Sequence, residues 1–296
     1  MRGWWRELSD LALPGECGGC GRARTVLCPR CRTALSGTAP GRVRPQPEPP
    51  GLPVVHAAAR YADEVRAVLL AHKERGVLAL TAPLGAALAG AVRAGLREAR
   101  AGTGDVGSTG CTGAVCGRGT VLLVPVPSAR RAVRTRGHDP ARRIALAAAG
   151  ELRRTGTSAR VLAVLRQRHA VADQSGLGAR ERLDNLAGAL AVVSGGGRLL
   201  CGGGPVVLVD DLMTTGASLT EAARAVRAAA HEWWAGAATY GTARSAVYPS
   251  AAGEGREERK AGPGMAGPNG GGGVIREVIC AAVVASTPDS FEINRN

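Results

Sequence analysis

The chain has 296 residues, 45% of them apolar, enough to bury one sizeable core and carry a small appended module. Its 38 basic against 24 acidic residues give a net charge of +14 and a pI near 10.6, a positive field that draws phosphates, nucleotides or nucleic acid to the surface, with a merely soluble basic face as the alternative. There is no run of about 18 uninterrupted apolar residues, and the N-terminal MRGWWRELSDLAL is broken by Arg6, Glu7 and Asp10, so no membrane span or secretory segment is expected and the protein is placed in the cytoplasm.

In chain order, Trp4, Trp5, Leu8, Leu11 and Leu13 predict a short helix with one apolar side, ending before Pro14. Next come Cys17, Cys20, Cys28 and Cys31, spaced as CGGC and CPRC with seven residues between. A reducing compartment disfavours disulfides, and two CxxC hooks each offer two thiolates to one tetrahedral Zn²⁺. Gly21 can take the positive φ that such a hook needs. Four thiolates leave no open position for water, so the zinc is read as structural; a redox dithiol pair or spare thiols are the alternatives. Cys111, Cys116, Cys201 and Cys280 read as single thiols.

Arg42 to Pro53 is proline-rich and is expected to run extended as a linker, with a domain boundary near residue 50: module and linker over 1–50, main domain over 51–296. Beyond it a strand is expected near Val54 to Tyr61 and helices over Ala62 to Arg100. The apolar runs VLLVPV (121–126), RVLAVL (160–165), PVVLVD (205–210) and VICAAVV (278–284) then alternate with helical stretches. Buried strands interleaved with helices predict an α/β fold with a parallel sheet covered on both faces. Glycine-rich stretches near 102–120 and 235–274 read as flexible insertions. Trp233 and Trp234, at the start of the second, receive no role.

PVVLVDDLMTTGASLTEAARAV (205–226) reads as a buried strand, two adjacent carboxylates, a loop of small and hydroxyl residues, and a helix opening at Ser218. Ser218 and Glu221, three apart, form a capping-box pattern. Free amides at the helix start would lie beside Thr214, Thr215, Gly216 and Ala217, a natural seat for a phosphate. Asp210 and Asp211 would point to opposite sides at the strand's carboxyl end. A capped turn with two solvated aspartates is the alternative; no GxxxxGK[ST] occurs, so a Walker-type site is not expected.

This segment resembles the phosphoribosyl pyrophosphate (PRPP) motif of type I phosphoribosyltransferases. VPVPSARRAVRTRGHDPARRIALA (124–147), the double CxxC, YADEVRAVLLAHKERG (61–76) with Tyr61 and Lys73, and RQRHAVADQSGLGARERLDNLAGAL (166–190) further resemble the competence protein F (ComF) family, zinc-fingered proteins of phosphoribosyltransferase type. One departure stands out: where many relatives follow RG with Phe-Asn-Gln, Gly137 is followed by His138, Asp139 and Pro140, which make a sound helix start. The resemblance implies a parallel-sheet type I phosphoribosyltransferase fold with an N-terminal zinc-ribbon module.

It further implies that Asp210 and Asp211 hold the ribose hydroxyls, and that Thr214, Thr215, Gly216, Ala217 and Ser218 hold the 5′-phosphate. The loop of Pro127, Ser128, Ala129 and Arg130 would receive pyrophosphate, aided by Arg131, Arg134 and Arg136, with Mg²⁺ arriving on the substrate. Arg166, Gln174, Arg180, Arg182 and Asn185 would belong to a mobile region over the site. The implied activity is phosphoribosyl transfer to an unidentified acceptor. A non-catalytic PRPP sensor, or a protein handling single-stranded DNA in competence, is the alternative, and a complement of four Trp, three Tyr and one Phe weakens base stacking. In the purine-salvage branch of the type I fold the position of Thr214 resembles a carboxylate that accepts the base's proton, so transfer to purines is not expected; His138, Asp139 or the region near Asp173 are the alternative general bases.

Overall fold

A computed structural model of the protein describes residues 15–102, 119–169, 179–202, 204–246 and 278–291. The expected helix over Trp4–Leu13, Cys111, Cys116, Gln174 and the glycine-rich centres of both insertions lie outside these residues.

The chain first forms a knuckle, residues 15–28, closed by the Glu16–Ala23 bridge and by the Cys17 amide on the Arg22 carbonyl. Helix α1 (Pro29–Ser36) follows, with Pro29 at its first position. Strand β1 (Gly41–Val43) leads through the proline-rich stretch to β2 (Val55–Arg60). Then come α2 (Asp63–Lys73), α3 (Thr81–Gly102), β3 (Val121–Pro125), α4 (Arg130–Arg136), α5 (Pro140–Arg154) and β4 (Ala159–Val161). The chain continues through β5 (Leu165–Gln167), α6 (Ala179–Leu186), β6 (Leu190–Val192), α7 (Gly196–Cys201), β7 (Val206–Met213), α8 (Ala217–Ala246) and β8 (Val278–Ser286).

The result is a mixed α/β fold around a six-stranded sheet in the order β1-β2-β8-β7-β3-β4. Only β1 runs antiparallel; the other neighbours pair in parallel. The burial of consecutive residues explains why these apolar runs became central strands. Val121, Leu123, Val207, Val209, Ala282 and Val284 face one core, shared with α2, α3 and α5. Their sequence neighbours Leu122, Val124, Val206, Leu208, Ala281 and Val283 face a second core, shared with α8. Both faces are covered, so no polar side is needed.

Four expectations change. RVLAVL does not make one strand: its first two residues, Arg160 and Val161, end β4 in the main sheet, and its last, Leu165, begins β5, which pairs antiparallel with β6. Strand β7 runs three residues beyond PVVLVD, so both acids lie within it. Helix α8 continues to Ala246, so the first part of the 235–274 insertion is helical. The sheet itself begins at Gly41, before the boundary placed near residue 50; Val43 bridges Phe291, the Arg44 amide donates to the Ser290 carbonyl, and Arg227 donates to the Gly51 carbonyl at 3.0 Å. Leu78–Ala101, the one helical stretch among the described residues long and apolar enough to cross a membrane, is 56% buried within the fold.

Candidate functional site

Strand β3 is followed in the chain by β4 on its outer side, and the chain then returns to place β7 on the inner side of β3. Strand order reverses between β3 and β7, so the loops at their carboxyl ends lead apart and open a crevice, the usual ligand position in open α/β sheets. Both segments singled out in the sequence end there.

Asp210 and the run from Leu212 to Leu219 line a polar pocket at the end of β7. Gly216 turns the loop with φ of 77°, in the left-handed region, and α8 begins at the next residue. Among the described residues, the amides of Thr214, Thr215, Gly216, Ala217 and Ser218 meet no protein acceptor; the first helical hydrogen bond here runs from the Thr220 amide to the Gly216 carbonyl at 2.9 Å. Leu52 and Pro45 roof Gly216: a Cβ added there would lie 3.1 Å and 3.3 Å from their side chains. The pocket therefore presents unmet N–H donors, two threonine hydroxyls and the positive end of a long helix.

The capping box does not form. Glu221 is buried and points instead to β6, where it accepts the Leu190 amide at 2.9 Å and is gripped by Arg224 Nε at 2.7 Å. Burial works against its charge, but Arg224 and the Leu190 amide outweigh it and hold the carboxyl below the usual value. Because this carboxylate is spent on β6, the amides at the start of α8 remain available.

The two acids diverge. Asp210 lines the pocket, and its Oδ1 accepts the Asp211 amide at 2.8 Å. Asp211 is buried and pairs with Lys73 Nζ at 2.9 Å. Burial and the neighbouring Asp211 charge push the Asp210 carboxyl well above its ordinary value, opposed by Lys73. For Lys73, burial alone would favour the neutral amine, but Asp211 and then Asp210 hold the ammonium above its ordinary value.

The loop after β3 reaches the same end of the sheet through a different set of contacts. Ser128 Oγ donates to Asp139 Oδ1 at 3.4 Å, and Asp139 also caps α5 by accepting the Arg142 amide at 3.2 Å, as the sequence predicts. The Arg130 guanidinium donates to the Gln167 carbonyl at 3.4 Å. Arg136 lies 3.6 Å from Glu74 and leaves its Nη1 buried without a partner. None of Ser128, Arg130 or Arg136 lines the loop pocket itself. Beside them His72 and His138 meet edge to face at 5.8 Å; burial, then His138, bring His72 down to about 4, so it is neutral near pH 7. Of the expected mobile region, Arg166 lies on β5, while Arg180, Arg182 and Asn185 lie on α6, whose Leu183 and Leu186 pack on Ala217 beside the loop.

The four N-terminal thiols come together. Their Sγ atoms all lie within 4.8 Å of one another, close to the ~3.8 Å edges of a tetrahedron with 2.3 Å zinc–sulfur bonds. Gly21 takes φ of 75° as the first hook needs, and the Cys28 amide points at Cys17 Sγ at 3.3 Å. Burial resists ionisation of Cys17, yet amides from Cys28, Cys20 and Gly19 outweigh it and bring the thiol to about 6. Such a set can hold one metal ion such as zinc.

Comparison of the chain with protein-family models and with curated proteins gives no match to either.

Proposed function

We propose that the chain is a PRPP-binding protein of phosphoribosyltransferase type, akin to the ComF family, with a structural zinc knuckle at its N-terminus. The observation that carries this reading is the pocket after β7: unmet amides of Thr214 to Ser218, two threonine hydroxyls and one accessible carboxylate, at a point of strand-order reversal. The amides and hydroxyls hold the 5′-phosphate. Asp210, a few residues back along the same strand, accepts the ribose hydroxyls, and the Ser128–Arg136 segment faces the pyrophosphate from the neighbouring strand.

Mg²⁺ would be carried in on the diphosphate oxygens, where it supplies charge neutralisation. In the transfer this site suits, the bond from C1 to the diphosphate oxygen breaks, pyrophosphate leaves with the electron pair, and an acceptor nitrogen bonds to C1 and then loses its proton. The protein's own contribution is positional and electrostatic: the loop fixes one end of the sugar phosphate while the carboxylate faces the positive ribose that develops.

Isothermal titration with PRPP and Mg²⁺ tests the placement. Asp210→Asn keeps the shape but loses charge-assisted acceptors, and is expected to weaken binding about 10- to 100-fold. Unchanged affinity in the folded variant overturns the placement.

A threonine at position 214 cannot act as a strong general base near neutral pH. Pyrophosphate release with adenine, guanine or hypoxanthine, at saturating PRPP and Mg²⁺, is accordingly expected to stay at the level without base. Robust turnover with any of the three would move the protein into purine salvage.

A further inference from the structure

The four knuckle thiols are alike in spacing but not in access. Cys17, Cys28 and Cys31 are buried, at 3%, 1% and 0% exposure, whereas Cys20 is exposed. Backbone and α2 cover the innermost sulfur: a Cβ added to Gly19 would lie 2.6 Å from Cys31 Sγ and 3.2 Å from Val68. Cys17 Sγ accepts the Cys28 amide at 3.3 Å within the buried turn. Of the four, Cys20 alone is open to a solute.

A metal-bound thiol is held deprotonated, and the thiolate is the form that attacks an oxidant. The Arg30 guanidinium lies close enough to feel negative charge on Cys20 and Cys31, which favours that form further. Access then decides which sulfur reacts, and it selects Cys20. A partner is already in place. Cys28 Sγ lies 3.5 Å from Cys20 Sγ, so a disulfide bond of about 2.05 Å needs a closing movement of only about 1.5 Å.

We propose that the knuckle is a peroxide-sensitive site, at which Cys20 is oxidised first and Cys28 closes a disulfide onto it with loss of the metal. The inference rests on the zinc reading of these thiols and is independent of the PRPP reading. The Cys20 thiolate attacks one oxygen of hydrogen peroxide and the O–O bond breaks. Hydroxide leaves with the electron pair and takes up a proton to become water, and Cys20 becomes a sulfenic acid. The Cys28 thiolate then attacks the Cys20 sulfur and displaces hydroxide, which is protonated to a second water. Two thiolates have lost two electrons, the peroxide has gained them, and two protons are consumed.

Only Cys17 and Cys31 then remain as ligands, too few to close a tetrahedral site. Cys17, Cys28 and Cys31 share one core with Val65, Val68 and Leu69 of α2, so the packing of α2 loosens with the knuckle. A thiol reductant with added zinc reverses the change.

The experiment treats the zinc-loaded full chain with hydrogen peroxide. It follows zinc release with a chromogenic chelator, traps sulfenic acid with dimedone, maps disulfides by mass spectrometry and records thermal unfolding. Early label is expected on Cys20, the final disulfide between Cys20 and Cys28, and zinc release in step with it. The melting transition is expected to fall by roughly 5 °C or more, and to recover with dithiothreitol and zinc. Cys20→His keeps a four-ligand set that suits zinc but removes the exposed sulfur, and is expected to release zinc at least about tenfold more slowly.

First label on Cys17, Cys28 or Cys31, a disulfide joining any other pair, or zinc retained while Cys20 is oxidised each overturns the proposal. So does release from zinc-loaded Cys20→His at the wild-type rate; should that variant bind no zinc, the labelling and mapping of the wild type decide alone. Failure of the wild type to bind zinc overturns the zinc reading, and this inference with it.

Discussion

Replacing Cys17 and Cys20 by serine is expected to abolish metal binding and to lower the stability of the whole domain, not of the knuckle alone. The knuckle has no core of its own. Cys17, Leu27, Cys28, Cys31 and Leu35 belong to one cluster with Val65, Val68, Leu69 and Ala71 of α2, with Leu80, and with the sheet residues Val121, Leu123, Val207 and Val209. The backbone comes so close that a Cβ on Gly18 would lie 2.7 Å from a Leu80 methyl, and one on Gly19 3.2 Å from Val68. Arg75 on the Gly18 carbonyl and the Arg30–Glu64 pair add polar ties. Structural zinc contributes roughly 10–16 kcal/mol to folding of small metal modules, against about 5–15 kcal/mol of net stability for a typical domain. Metal analysis is expected to give about one zinc per wild-type chain and none in the double serine variant, whose melting transition should fall well below that of the wild type. Full zinc in the variant would rule out this ligand set; an unchanged sheet transition would show that the two parts unfold separately.

Gly216→Val is expected to cost both stability and ligand affinity. The residue sits at φ of 77°, where an L side chain costs about 1–2 kcal/mol and a β-branched one more. The added side chain would also press on Leu52 and Pro45: a Cβ alone would lie 3.1 Å and 3.3 Å from them, so both must give by a few tenths of an ångström even before the valine methyls are placed. A shifted loop misaims the amides of Thr215 to Ser218 together. We expect a stability loss of about 2–4 kcal/mol and at least about a 100-fold loss in ribose 5-phosphate and PRPP affinity, with Gly216→Ala milder in both. Wild-type affinity in a folded valine variant, measured by titration calorimetry, would mean that the loop does not bind the phosphate.

The parts of the site that were readable from the sequence are those whose determinants are contiguous. A buried run, two acids, TTGA and a helix follow one another over 205–226, and β7, the loop and α8 appear in that order. The CxxC hooks are local in the same way. Tertiary pairing decided what was missed. Asp211 meets a lysine from α2, and no spacing rule connects the two. Ser218 and Glu221 have capping-box spacing, but Leu190 and Arg224 compete for the carboxylate and win, because its burial demands a full set of partners. RVLAVL is as apolar as a central strand; what divides it is the turn between Val161 and Leu165, where the Val164 amide donates to the Leu162 carbonyl. Strand β6 and helix α7 are only three and six residues long, too short for periodicity to register.

The order of the sheet has one more consequence, for how copies of this chain meet. Both outer strands, β1 and β4, are only three residues long, while the long strands β7 and β8 are enclosed. An exposed edge invites another strand in proportion to the row of free backbone groups it displays. Here that row is about one hydrogen-bonding repeat at either side, and at β1 it is shortened further by the Val43–Phe291 bridge. Among the described residues, the six-stranded sheet therefore offers little free edge at either side for pairing with a strand of another copy.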